Sequence, residues 1–160
     1  MDPRAAANLV LDIAEESNIP ISNLALNKIV YFLHGIYLAA NSKPLVDAKI
    51  EAWQYGPVFR EIYHQFKVHA DRPISNRATI LDAETGEYVE CRHNVEQIEY
   101  DQLRAWVLPY LNMRPAALVD LSHRGGSPWH NAWFHEGSVN PGMEITNDAI
   151  RNYFIDQVRH

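Results

Sequence analysis

Apolar residues recur every three or four positions along most of the chain, a spacing typical of amphipathic helices. A first helix is predicted over residues 3–16, because Asp2 can cap it and Pro3 suits the first helical position. A second helix follows Ser22 and is apolar on nearly all of its faces, which predicts a buried, central position. Further helices are predicted after Gly56-Pro57, around 103–111, over 115–122, from Pro128 and after Thr146.

The helical spacing disappears between residues 74 and 91, where two short runs flank a turn at 82–86 and predict a β-hairpin. The segment 49–53 is another strand candidate, and the hairpin is expected either to pair with it or to lie on the helices. The sequence therefore predicts a mainly α, compact single domain covering residues 1–160. It should contain about six or seven helices around a central buried helix, with a small antiparallel β-hairpin or sheet.

Composition narrows the class of protein. The 160 residues are 47% hydrophobic and 21% charged, which suits one folded domain, and the net charge of −6 disfavours a nucleic-acid partner. No apolar run reaches the roughly 18 residues of a membrane span, so no membrane partner is expected. The single cysteine and the lack of an apolar leader at the start of the sequence predict a cytoplasmic protein.

Motifs for the common cofactors and metals are missing from the sequence. It contains no P-loop, no glycine fingerprint for a dinucleotide and no His-Glu-x-x-His element. Cys91 and His93 are two residues apart and could face one side of a strand, but a structural zinc normally takes four ligands in spaced pairs. We therefore expect no cofactor and no metal.

The segment 122–135 holds the best candidate for a catalytic site. Ser122 or Ser127 is a candidate nucleophile, and His123, His130 and His135 are candidate general bases. No carboxylate is spaced to orient any of these histidines, and Ser127 before Pro128 is a typical helix cap. The sequence predicts that the protein is not an enzyme and has no catalytic residue. A small hydrolase using His123, Ser127 and His130 is the alternative.

A polar stripe of Asn27, Tyr31 and His34 runs along the otherwise apolar second helix, with Lys28 beside it. Buried polar groups cost free energy unless they find hydrogen-bond partners, so these side chains either are satisfied inside the protein or line a cleft. Trp53 and Tyr55 are candidates for the opposite wall, because the Gly56-Pro57 pair returns the chain towards the second helix. In the helix predicted after that pair, Tyr63 is expected to face the core.

Four short runs of sequence carry a resemblance to a known family. They are Leu-Asn-Lys-Ile-Val-Tyr-Phe-Leu-His-Gly at 26–35, Glu-Ala-Trp-Gln-Tyr-Gly-Pro-Val at 51–58, Leu-Ser-His at 121–123 and Pro-Trp at 128–129. Because of these runs, the chain resembles the Panacea domain of SocA-like antitoxins, a family formerly described as phage-associated proteins. The resemblance extends over about residues 5–155. The resemblance implies structural roles for the motif residues Gly56, Pro57, His123, Pro128 and Trp129.

The resemblance implies a helical antitoxin that neutralises a protein toxin, typically from the neighbouring gene, by direct binding. It also implies the ClpXP protease as a second partner, to which such an antitoxin hands its toxin. Aromatic residues beside exposed polar groups are typical of protein interfaces. We therefore expect the toxin-binding cleft to comprise Lys28, Tyr31, His34, Trp53, Tyr55, Arg60 and His64. The sequence leaves the oligomeric state open.

Overall fold

The structure is a computed structural model in which residues 1–158 are described, apart from the side chain of Val158. Within these residues the helices are α1 (Pro3–Glu16), α2 (Asn23–Asn41), α3 (Arg60–Phe66), α4 (Gln97–Leu111), α5 (Pro115–Ser122), α6 (Pro128–Trp133) and α7 (Asn147–Val158). The strands are β1 (Ile50–Trp53), β2 (Gly56–Val58), β3 (Thr79–Leu81), β4 (Tyr88–Glu90) and β5 (Glu144–Ile145). The mainly α fold class with a small antiparallel β component is confirmed.

Several helices begin where the sequence signals place them. In each case a side-chain oxygen accepts a backbone N–H from the first turn, which satisfies a donor that the helix itself leaves free. These caps are Asp2, Ser22, Ser127 and Thr146. None of the helices among the described residues combines the length and the apolar character that a membrane span requires.

Helix α2 lies at the centre of the fold and contacts α1, α3, α4, α5, α7 and strand β2. Leu26, Val30 and Leu33 are completely excluded from solvent, and each such burial contributes about 1.5–3 kcal/mol. Against α7 the approach is so close that a β-carbon on Gly35 would collide with the ring of Phe154. The prediction of a central, buried second helix is confirmed.

The Gly56-Pro57 pair, predicted to open a helix, instead begins strand β2. This strand pairs antiparallel with β1, so that Trp53 stands opposite Gly56. Gly56 has a φ of +114°, which is outside the helical region and is readily adopted by glycine. The chain therefore reverses over Gln54 and Tyr55, and α3 begins only at Arg60.

Strand β1 lies in the middle of a three-stranded sheet with the order β2-β1-β5. A proline is tolerated in β2 because this is an edge strand. Pro57 stands opposite Ala52, which directs its N–H to Met143 and its C=O to Gly142 on the other side of β1. Strand β5 has only two residues and was not predicted, because so short a segment has no detectable alternation.

Strands β3 and β4 form the predicted hairpin, but it does not join β1. The hairpin is fastened to α1 by the buried side chain of Asn8. The Asn8 amide donates to the C=O of Ala78 at 3.0 Å and of Cys91 at 2.8 Å, and its oxygen accepts the N–H of Ala78 at 2.7 Å. Of the two expected arrangements, the hairpin lies on the helices.

Cys91 and His93 engage different neighbours after the hairpin. The thiol of Cys91 is buried, and burial raises its pKa. Nε2 of His93 lies 3.0 Å from Oδ2 of Asp12 on α1. Within residues 1–158, no three histidine, cysteine or acidic side chains are grouped closely enough to hold a metal ion.

We expect Asn8→Ala to lower the free energy of unfolding by about 2–4 kcal/mol, because it leaves the buried N–H of Ala78 and the C=O of Cys91 without the partner that Asn8 provides. Urea unfolding measures the loss. Asn131 is exposed and makes one long hydrogen bond, at 3.4 Å, so Asn131→Ala is the matched control and should change stability little. If the two variants unfolded at the same urea concentration, the role given to Asn8 would be contradicted.

Candidate functional site

A cleft of about 440 Å³ lies between the first turns of α2, the β1–β2 turn and α3. Its aromatic walls are Trp53 at the end of β1, Tyr55 in the turn and Tyr63 on α3. The rings of Trp53 and Tyr63 meet edge to face with centroids 4.9 Å apart, while Tyr55 remains 60% exposed. The polar lining consists of Asn23, Asn27, Lys28, Gln54 and Lys67. We refer to this surface as the aromatic cleft.

Two asparagines position α3 along one side of the aromatic cleft. Oδ1 of Asn27 accepts the N–H of Phe59 at 3.0 Å, and the Asn27 amide donates to Oδ1 of Asn23 at 3.1 Å. The Asn23 amide in turn donates to the C=O of Tyr63 at 3.1 Å. The start of α2 is therefore bonded to both ends of the segment that carries the Tyr63 wall.

Lys28 lies under the floor of the aromatic cleft, with its side chain excluded from solvent. Its ammonium donates to the C=O of Pro57 at 3.0 Å. Burial disfavours the charged form and lowers the pKa of Lys28 to about 7. The absence of a side chain at Gly56 makes room for this arrangement, because a β-carbon there would lie 2.5 Å from Cε of Lys28 and 2.6 Å from Oγ of Ser122.

The end of β1 is supported by a pair of stacked rings. His123 and Trp129 lie with ring centroids 3.7 Å apart and planes within 8°. Nε1 of Trp129 donates to the C=O of Trp53 at 2.7 Å, which fixes the cleft wall to α6. Nε2 of His123 is buried and has no hydrogen-bond partner among the described residues. Burial, followed by the nearby charge of Lys28, lowers the pKa of His123.

Comparison with known proteins identifies the family. The family model described as Antitoxin SocA-like, Panacea domain matches residues 26–130, which include most of the aromatic cleft and the Trp129 support. The chain belongs to this family. Over 155 residues the chain is 36% identical to Antitoxin SocA from Caulobacter vibrioides (strain NA1000 / CB15N), a match that covers 96% of this chain and 82% of that protein. No solved structure matches the chain. The resemblance drawn from the motifs is confirmed.

The structure brings Lys28, Trp53 and Tyr55 together in the Panacea domain, but it does not bring Tyr31 to the same cleft. Tyr31 is 2% exposed and packs edge to face against Phe154 of α7, with centroids 5.9 Å apart. Burial raises the pKa of Tyr31, so its hydroxyl stays neutral. Tyr31 is a core residue, which corrects its expected place in the cleft.

His34 also lies in the core rather than in the aromatic cleft. Its Nδ1 accepts the N–H of Val46 at 3.2 Å, and its Nε2 lies 2.9 Å from Oδ1 of Asn147. Between Asn27 and His34 a helix advances by about 10 Å, so the two ends of the polar stripe meet different neighbours. Because α2 is surrounded on all sides, the far end meets α7 and the 42–49 loop instead of the cleft.

Arg60 and His64 lie beside the aromatic cleft rather than in its lining. Arg60 is 61% exposed at its side chain, and its Nε lies 3.3 Å from Oε2 of Glu51. His64 is exposed, with its ring centroid 5.4 Å from that of Tyr63. Both residues lie on α3, the helix that carries the Tyr63 wall.

Asn23, Tyr63 and Lys67 were not expected in the cleft. Tyr63 was assigned to the core by its helical spacing, yet it is 37% exposed, because Ile62 and Phe66 bury the inner face of this short helix. Tyr63 and Lys67 are four residues apart, and that spacing could have placed them together on one helix face. Nothing in the sequence indicated a role for Asn23 beyond its position after the Ser22 cap.

The hydroxyl of Ser127 is already engaged as a helix cap. It is buried, accepts the N–H of His130 at 3.1 Å and donates to the C=O of Ser122 at 3.0 Å. The His130 ring packs against Phe134, with centroids 4.9 Å apart, and His123 stacks on Trp129. These contacts support the helix-cap interpretation and give the hydrolase alternative no nucleophile and base at Ser127.

The charged residues that line the aromatic cleft, within the described part of the chain, are Lys28 and Lys67. Lys67, together with the protonated form of Lys28, gives this surface positive charge, in contrast with the net charge of −6 for the whole chain. Aromatic walls bury apolar surface, and lysines attract anionic groups. The arrangement is therefore suited to a ligand that combines an apolar part with a negative charge.

We expect stability to fall as the pH is lowered below about 6.5, in part because of His34. Burial lowers the pKa of His34 from its ordinary value of 6.5, so the unfolded chain takes up the proton first and is favoured on acidification. The contribution is at most about 1.4 kcal/mol per pH unit. Urea unfolding at pH 7.5 and 5.5 should show a smaller loss for His34→Gln than for the wild type.

His64→Gln removes an exposed histidine and is the control for this measurement. It should keep the wild-type pH profile. A His34→Gln protein that loses as much stability as the wild type between the two pH values would show that His34 does not contribute.

Proposed function

We propose that this Panacea domain is an antitoxin that neutralises a protein toxin by binding it directly through the aromatic cleft. The observation that carries the proposal is the concave surface formed by Trp53 and Tyr63 beside the exposed ring of Tyr55. Tyrosine and tryptophan are the residue types that most often supply binding energy at protein interfaces. On this proposal the toxin is the product of a neighbouring gene and is met in the cytoplasm.

Membership in a family described as SocA-like antitoxins supports the antitoxin role, as does the 36% identity to Antitoxin SocA. Neutralisation by binding needs neither a catalytic residue nor a cofactor. Arg60 and His64 would form the polar rim of the interface, where a charge changes the association rate more than the final affinity.

We also propose that residues 1–160 form one Panacea domain. Helices α1 and α7 lie outside the matched segment 26–130, yet both pack against α2. The close approach of Gly35 to Phe154 makes α7 part of the same core. A folded unit limited to the matched segment would leave α2 exposed on two sides.

Delivery of the toxin to the ClpXP protease is a second mode of neutralisation with a distinct outcome. Blocking by binding leaves the bound toxin intact, whereas delivery shortens its lifetime only when the protease is present. The half-life of the toxin, followed by immunoblot in host cells with and without ClpXP, separates the two modes. Either result is compatible with direct binding as the first step.

We expect Tyr55→Ala to weaken toxin binding by about thirtyfold or more, because truncation of an interface anchor typically costs at least about 2 kcal/mol. The proteins encoded on each side of the gene are the probes, each co-expressed with the antitoxin in a bacterial host. Rescue of growth identifies the toxin, and calorimetry with the purified pair gives the affinity.

Tyr88→Ala is the matched control, since Tyr88 is a 73% exposed tyrosine on the separate β3–β4 hairpin. It should bind like the wild type, and both variants should unfold at the wild-type urea concentration. A folded Tyr55→Ala protein with wild-type affinity would place the interface elsewhere. If neither flanking product binds, the antitoxin proposal itself is overturned.

A further inference from the structure

The ammonium of Lys28 is a buried cation with few partners. An ammonium has three N–H donors, and the hydrogen bond to the C=O of Pro57 is the one that the described residues provide. Among these residues no carboxylate lies within ion-pair distance of Lys28, although the side chain is completely buried. A buried charge without a counter-ion is costly, so Lys28 gives up its proton readily, and an anion placed beside it would favour the charged form.

The groups around Lys28 supply little negative charge. Lys67 and Tyr63 line the cleft from α3, and Tyr55 lines it from the β1–β2 turn. His123 lies near enough for the charge of Lys28 to lower its pKa, and Asp120 acts on that histidine in the opposite direction. An anion that enters the aromatic cleft therefore meets two lysines and no lining carboxylate within the described residues.

We propose that the aromatic cleft binds a segment of the toxin that carries an aspartate or glutamate side chain. The carboxylate is held over Lys28 and Lys67, and the apolar part of the same segment packs between Trp53, Tyr55 and Tyr63. This inference rests on the proposed function, since the partner that it describes is the toxin.

Size and charge favour a short acidic protein segment over an extended polyanion. A volume of about 440 Å³ lies within the range of pockets that enclose a drug-sized ligand, and so holds a few side chains. A nucleic acid would meet the repulsion of a chain with a net charge of −6 beyond this small cationic spot. One carboxylate beside an apolar group matches both features of the cleft.

Binding of a carboxylate should be accompanied by uptake of a proton. A negative charge beside Lys28 favours the ammonium form and raises the pKa of Lys28 above its value of about 7 in the free protein. Above pH 7 the free protein is mostly neutral at this position and must take up a proton to bind, so affinity falls as the pH rises. Below pH 7 the lysine is already charged, and the affinity levels off.

The experiment measures the affinity for the toxin, identified by co-expression of the flanking genes, at pH 6.5 and pH 8.5. For the wild type we expect the affinity to fall at least about tenfold between these values. Lys28→Met should bind the toxin more weakly than the wild type at pH 6.5. Its affinity should also lack the tenfold fall between pH 6.5 and pH 8.5 that we assign to Lys28. Because both proteins are measured with the same toxin, the difference between their pH dependences excludes the titration of groups on the toxin.

Two further variants separate the charge of Lys28 from its structural contact. Lys28→Gln keeps a donor for the C=O of Pro57 but carries no charge, so it should behave like Lys28→Met even if the methionine variant is less stable. Lys67→Met removes the exposed lysine and should weaken binding while keeping the wild-type pH dependence. Urea unfolding of each variant shows whether the fold is retained.

Substitution of each toxin Asp by Asn and each Glu by Gln should reveal one position whose loss of affinity is not additive with Lys28→Met. Such coupling supports the inference. Toxin binding with equal pH dependence in wild type and Lys28→Gln, or with no coupled carboxylate, overturns the acidic-segment inference and leaves the antitoxin proposal standing. If neither flanking product binds at all, the proposed function fails and this inference fails with it.

Discussion

Residues 25–35 of helix α2 are all buried, so a polar side chain in this stretch is costly unless it finds its partner inside the protein. Asn27 meets this requirement by accepting the N–H of Phe59, Lys28 by donating to the C=O of Pro57, and His34 by accepting the N–H of Val46. Each of these bonds also fixes a neighbouring segment of backbone in place. The polar residues of the central helix therefore set the positions of α3, β2 and the 42–49 loop, while its apolar residues supply the core.

The aromatic cleft results from the hydrogen bonds that the polar residues of α2 make to β2 and α3. Where α2 bonds to β2 and α3, the tight turn at Gln54 and Tyr55 projects beyond the sheet and leaves a concave surface against the start of α2. On the other side, Trp129 holds the last residue of β1 through a hydrogen bond of 2.7 Å to its carbonyl oxygen. The proposed binding surface is thus built from helices and strands that are held on both sides, as recognition sites require.

The sequence was sufficient to predict the elements whose signals are local. Caps such as Ser22 and Thr146 act within one turn, and the hairpin follows from a turn between two short runs. Gly56-Pro57 was misassigned because a proline after glycine suits a helix start and an edge strand equally, and only pairing with β1 decides between them. The stripe on α2 was recognised, but its division between cleft and core depends on which elements pack around a central helix. That information is tertiary, so Tyr31 and His34 were placed in the cleft wrongly.

The contact between Gly35 and Phe154 has a consequence for the order of events during synthesis. Because α7 is the last described element and closes one side of α2, the core stays incomplete until the final helix has been made. Until then the part of Tyr31 and Phe32 that contacts Phe154 has no cover, and exposed apolar surfaces are recognised by chaperones and proteases. A chain that lacks α7 would therefore expose this surface of α2 to chaperones and proteases.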